Sequence, residues 1–164
     1  MANQIKPTLF IVRTANLGMR APSRRLLREG FDRPRMVTTA LVSIRQYHRR
    51  ISRTEFGKAL QEGNVIAYEK DYGGYHGILK PEFQQCLELS SRGVLVVGSP
   101  KLASQVKRNR PEALVVVLQN SGADLSHYLH DLEDINHHII KVNSLAVGES
   151  RRVYDELSSL LSSV

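Results

Sequence analysis

A chain of 164 residues, 41% of them hydrophobic, carries one cysteine and a formal net charge of +7. That length fits one domain burying roughly 70% of the surface its unfolded form exposes, so no disulfide framework is needed, and a lone Cys86 excludes an intramolecular one. Nowhere do about 18 apolar residues run together, which excludes a membrane-spanning helix, and the opening MANQIKPTLFIV lacks the long apolar stretch and cleavage site of a secretory signal, so a cytoplasmic protein is expected.

In chain order, the first predicted strand is TLFIV (8–12). It runs through the loop RTANLGMRAPSRRLL (13–27) into a helical segment, the place where many α/β proteins hold a phosphate. RMVTTALV (35–42) reads as a second strand. Residues 43–78 hold a denser set of strand-like pieces, tyrosines and glycines, which predicts a small antiparallel inset. Within it SRTEFGKALQEG (52–63) opens with a capping box, Ser52 with Glu55 three residues on, and NVIAY (64–68) reads as a strand. KPEFQQCLELSSRG (80–93) is a helix with proline in its first turn and glycine at its end, in which Cys86 is a small buried apolar residue. GVLVVGS (93–99) and ALVVVLQ (113–119) are continuously apolar, as strands covered on both faces are. SPKLASQVKRN (99–109) is a helix with Leu102 and Val106 on one face, and ADLSHYLHDLEDI (123–135) spaces Leu125, Tyr128, Leu129 and Leu132 as a helix does. HHIIKVN (137–143) and ESRRVYDELSSLL (149–161) close the chain as strand and helix. Strand and helix alternating in this way predict an α/β domain with a mostly parallel sheet flanked by helices, its core formed by 1–42 and 79–164 and its inset by about 43–78.

The charge is uneven. Residues 1–60 hold 13 Lys/Arg against 3 Asp/Glu, whereas 61–164 hold 10 against 13. Such a field favours phosphates, nucleic acid or an acidic protein surface, and the bland reading beside it is a solvated basic face. Most of these cations are arginines, whose fork grips phosphate or carboxylate in two places.

RRISRTEFGKALQEGNVIAYEKDYGGYHGILKPEF resembles the substrate-binding module of guanylate kinases, which reads S-x-x-E-F, a helix, a strand and a turn ending G-x-Y-Y-G. GVLVVGSPKLASQVKRNRPEALVVVLQNS is similar to the ribose 1,5-bisphosphate phosphokinases, relatives of the same fold, and HHIIKVNSLAVGESRRVYDELSSLL to the last strand, asparagine and helix of both. The likeness runs in order along nearly the whole chain. It implies a P-loop nucleoside-monophosphate-kinase fold with a core that grips ATP, an inset that grips the phosphate acceptor and a lid that supplies arginines.

Each part can be held against its chemistry. A P-loop reads G-x-x-x-x-G-K-[ST], its glycines letting backbone N–H groups converge on phosphate and its lysine reaching the β- and γ-phosphates. Here Arg13 stands at the first glycine, Met19 at the lysine, and only Gly18 remains in place. Arg20, Arg24, Arg25 and Arg28 offer charge without restoring the backbone nest. In the inset, Tyr47 falls on the family's phosphate-binding tyrosine with Arg45 beside it, and His76 replaces the second tyrosine after Tyr75. Ala67 and Ile78 stand where the resemblance implies groups that read guanine, so guanine recognition is lost with its hydrogen-bond partners. In place of the arginine-bearing lid the chain has NSGADLSHYLHDLEDI, with four acidic residues and no arginine or lysine, which would repel a polyphosphate.

His127, His130, His137 and His138 gather late in the chain, but no further ligand beyond Asp131 or Asp134 stands at a zinc-site spacing, so no metal is expected, and no cofactor. The expectation is a catalytically degenerate guanylate-kinase-like domain binding an acidic or phosphorylated protein or a small anion through Arg20, Arg24, Arg25, Arg45, Tyr47, Tyr75 and His76. The second reading is a phosphotransferase on a sugar phosphate or nucleotide. The third is a nucleic-acid-associated protein, ranked last because the basic segment has few aromatics and no recognition motif.

Overall fold

Leu9 and Ile11 point to one side of strand β1 (Thr8–Arg13), Phe10 and Val12 to the other, and all four are fully buried. Alternating side chains that are apolar on both sides require cover on both faces, and β1 accordingly lies in the middle of a parallel sheet. The computed structural model describes residues 5–13, 21–41, 48–71, 73–120, 126, 129–143 and 146–164, with Arg13 and Ala21 described by their backbone alone.

Along the chain β1 is followed by helix α1 (Ala21–Arg28), β2 (Phe31–Asp32), β3 (Met36–Thr38), β4 (His48–Arg50), α2 (Arg53–Gln61), β5 (Val65–Asp71), β6 (Gly74–Leu79) and α3 (Lys80–Leu89). Then come β7 (Gly93–Gly98), α4 (Pro100–Asn109), β8 (Leu114–Asn120), a 3-10 turn (His130–Leu132), β9 (His138–Val142) and α5 (Glu149–Ser162). Five strands form the main sheet in the order β2-β7-β1-β8-β9, every pair parallel. The even residues of β1, Phe10 and Val12, join Phe83 and Cys86 of α3 and Leu102, Ala103 and Val106 of α4. The odd ones, Leu9 and Ile11, join Leu26 of α1 and Val153, Tyr154 and Leu157 of α5. The result is the expected α/β architecture with helices on both faces.

A second sheet, β4-β3-β6-β5, packs on the α3/α4 side. Its strands were expected to be antiparallel, and β3–β6 and β5–β6 are; β3 and β4, however, run parallel, so the sheet is mixed. It also begins at Met36, inside the stretch expected to serve the core. That strand is cut short after Thr38, whose hydroxyl accepts from Ala40 N at 3.1 Å, while Thr39 turns its hydroxyl to Tyr75 N at 2.9 Å. The Thr38 bond is local and competes with the ladder, whereas the Thr39 hydroxyl reaches across to β6. Gly74 makes the close approach possible: its φ is +144°, and a Cβ there would lie 2.5 Å from Thr39 Oγ1.

The capping box of α2 is formed, Ser52 Oγ accepting from Glu55 N and Glu55 Oε2 from Ser52 N. Ser99 caps α4 and Pro81 opens α3, as their positions predict. The helix expected over 123–135 is not found in its described residues, where only the 3-10 turn forms; 123–125, 127 and 128 lie outside them. Asp131, Glu133 and Asp134 would crowd acid at a helix C-terminus, where the dipole opposes it, and one buried leucine, Leu132, is enough to pin the turn on the core. Among the described residues no helix is long and apolar enough to cross a membrane.

Candidate functional site

In an open parallel sheet, ligands bind outside the carboxyl ends of the strands. Here the second sheet forms one wall of that region. Met36, Ala67 and Ile78 on one of its faces are buried against the main core. Farther along the same face, Arg50, Thr38, His76 and Glu69 stand in register across β4, β3, β6 and β5. The other face is the apolar underside beneath α2, where Val37, Ile51 and Leu79 meet Phe56 of the helix.

His76 is held there by its neighbours. Its Nε2 lies 2.9 Å from Asp71 Oδ2, and its ring meets that of His48 edge to face at 5.9 Å. Asp71 is in turn fixed by Gly73 N and Gly74 N, at 2.8 and 3.2 Å from its Oδ1. The bond from Gly73 contributes most to holding this carboxyl below the usual aspartate range. Arg50 lies two residues beyond His48 on β4 and shares its face, whereas Arg49 is engaged with Glu82. The charge of the wall therefore runs from basic on β4 to acidic on β5.

The wall is tied to the core at its acidic end. Ser99, the residue after β7, donates to Glu69 Oε2 at 2.7 Å and accepts from Leu102 N at 3.2 Å. Gln105 accepts from Tyr68 N at 3.0 Å and donates to Tyr68 O at 2.7 Å, pairing with the β5 edge as another strand would. Asn109 adds a bond to Ile66 O at 2.8 Å. The head of α4, positive by its dipole, thus faces a carboxylate of the protein itself.

Of the residues singled out in the sequence, Arg20, Arg45, Tyr47, Gly18 and Met19 lie outside the described residues. Arg13 ends β1 in register with Leu118, so the strand runs on to the point where the first P-loop glycine was sought. Arg24 is exposed on α1. Arg25 lies over the Tyr154 ring, 3.7 Å from its centroid, and bonds Glu29 at 3.3 Å. Glu29 also takes Arg92 and the Tyr154 hydroxyl, and the Tyr154 bond contributes most to lowering its pKa. Arg25 is thereby part of the α1–α5 layer, on the opposite face of the main sheet from His76. Tyr75 and His76, neighbours on a strand, point to opposite faces: Tyr75 stacks on Phe56 at 5.0 Å and meets Tyr68 at 6.2 Å. The structure brings His76 together with His48, Asp71, Glu69 and Arg50, and separates it from Tyr75 and Arg25.

Glu69, Asp71 and Ser99 went unnoticed in the sequence. Asp71 was legible in principle, since an aspartate two residues before a Gly-Gly pair is an Asx-turn signal. Glu69 and Ser99 are 30 residues apart, and only the fold joins them.

At the other edge of the main sheet, Asn143 N donates to Glu149 at 2.8 Å, and Arg152 bonds the same carboxylate and Lys141 O. The Arg152 bond, more than any other contact, pulls the Glu149 carboxyl down to about 2. His130 is paired with Glu133, which raises its pKa, and His137 Nδ1 meets Ile135 O at 2.9 Å. Among the described residues no three His, Cys, Asp or Glu side chains gather as a metal site.

No family's sequence model matches the chain. No curated protein matches it in sequence. Its structure is similar to that of guanylate kinase from Anaplasma phagocytophilum, with a TM-score of 0.67 over 97% of this chain and 86% of that one, at 13% identity. The α/β fold with its second sheet is the guanylate-kinase-like, P-loop-kinase-like fold that the sequence resemblance implies.

Proposed function

We propose that this guanylate-kinase-like domain is a binding module for an acidic or phosphorylated protein partner and does not transfer phosphoryl groups. The observation that carries the binding half is the polar row on the second sheet, in which Arg50 and His48 of β4 and His76 of β6 share one face. A guanidinium beside imidazoles is suited to gripping a carboxylate or phosphate on another chain. Arg45 and Tyr47 immediately precede β4 in sequence and extend the same reading.

The non-catalytic half is supported by composition at the places where phosphoryl transfer needs charge. Catalysis of that reaction is almost wholly positioning and charge stabilisation. Met19 brings no cation where the resemblance implies the P-loop lysine, and residues 120–135 contain no arginine or lysine. A resident carboxylate, Glu69, already faces the head of α4 through Ser99.

Calorimetry with a short peptide bearing one phosphoserine among glutamates tests the binding. Losing one charge-assisted contact and adding a repulsive charge through Arg50→Glu is expected to weaken binding about tenfold or more. Binding that survives the reversal unchanged refutes the assignment.

A further inference from the structure

His76 lies among more acid than base. From β5, Asp71 sits 2.9 Å from its Nε2 and Glu69 stands across from it in register. From β4 come the His48 ring at 5.9 Å and Arg50 in the same transverse row; from β3 comes the uncharged Thr38, and from the head of α4 Ser99, bonded to Glu69. Arg49 and Glu82 neutralise each other. Among the described residues of this row, Arg50 faces Glu69 and Asp71, a net charge of one negative with both imidazoles neutral and of one positive with both protonated.

We propose that this cleft is a proton-gated anion site, which takes a sulfate- or phosphate-like group when His48 and His76 are protonated and rejects it when they are neutral. The inference rests on the anion-binding reading above and adds its regulation. Each proton taken up by the two imidazoles adds one positive charge to the wall. Asp71, pinned by two backbone N–H groups, keeps its carboxylate 2.9 Å from His76 Nε2.

The test uses a fluorescent peptide with a single sulfotyrosine, whose charge is constant between pH 5.5 and 8, at fixed ionic strength. Linkage to two protonations predicts binding about tenfold or more tighter at pH 5.5 than at pH 8. The His48→Gln/His76→Gln variant is expected to reduce that ratio to less than about twofold, which separates these two imidazoles from the general rise in protein charge. In the unaltered protein, NMR titration with inorganic sulfate should raise the pKa of both imidazoles, since the coupling is reciprocal; this readout needs no variant to fold. Peptide binding tighter than sulfate identifies a chain-borne anion and equal binding a free one, and the gate is supported in either case when the pH ratio holds. Binding that is independent of pH but lost in Arg50→Glu overturns the gate and leaves the anion site standing. Absence of binding at both pH values removes the site and the gate together.

Discussion

Ser99 and Glu69 join the two sheets: the hydroxyl that caps α4 donates, at 2.7 Å, to a carboxylate on β5 of the second sheet. One serine therefore ends β7, starts α4 and fixes the wall of the cleft. Beside it Gln105 closes the β5 edge with a paired amide bond to Tyr68.

This connection ties the β5 edge of the second sheet to α4. Gln105→Ala removes both bonds to Tyr68 at a solvent-accessible edge and should lower stability by about 1–2 kcal/mol, read as a fall in the urea midpoint. Amide exchange at Tyr68 should quicken in the same variant. An unchanged exchange rate at Tyr68 would show that the pairing does not hold the edge.

Tyr75 packs beneath α2, and His76 lies on the opposite face of the sheet. Phe56 is 1% exposed and stacked on Tyr75, so Phe56→Ala should cost about 3–5 kcal/mol in thermal or denaturant unfolding. Tyr75→Phe keeps the ring and should leave peptide binding at the cleft within about twofold of the unaltered protein, since the ring lies on the α2 side. A large loss of affinity in Tyr75→Phe would place the tyrosine hydroxyl in the site.

Glu149 should make the fold acid-sensitive. Its carboxyl falls from the usual 4.5 to about 2, chiefly through Arg152 and then Asn143 N. A depressed carboxylate contributes stability that is fully present above pH 4.5 and is lost as pH falls from there toward 2. Glu149→Gln should lower the urea midpoint at pH 7 and flatten its dependence between pH 5 and pH 2.5. Equal slopes in the two proteins would remove this residue from the account.

Cys86 should be inert. Burial, and then the negative charge of Asp32, push its thiol up to about 12, so thiolate is scarce at pH 8. Alkylation by iodoacetamide at pH 8 should proceed only as fast as the protein unfolds, and rapid modification of the folded chain would contradict the packing.

Where the physics is local, the sequence was readable. The continuous apolar runs at 93–97 and 113–118 gave parallel strands covered on both faces, and Ser52 with Glu55 gave the start of α2. The second sheet was harder. β3 and β4 are three residues each, β6 is interrupted by glycine, and β3 takes its partners from residues 12 and 38 to 40 positions away, which no periodicity records. The 3-10 turn at His130 was misjudged because leucines at helical spacing carry no information about the acidic end that opposes a helix. In the site, placing Tyr75 and His76 together ignored the alternation of a strand, and Arg25 was counted as available although Tyr154, 129 residues on, lies under it.

The central claim is a kinase-like fold that binds without transferring phosphate. The most direct measurement incubates the protein with ATP and Mg²⁺ in the presence of GMP, and separately of ribose 1,5-bisphosphate, and follows ADP together with the phosphorylated acceptor. The account predicts no turnover above a protein-free control. Magnesium-dependent formation of ADP and phosphorylated acceptor in equal amounts would contradict it.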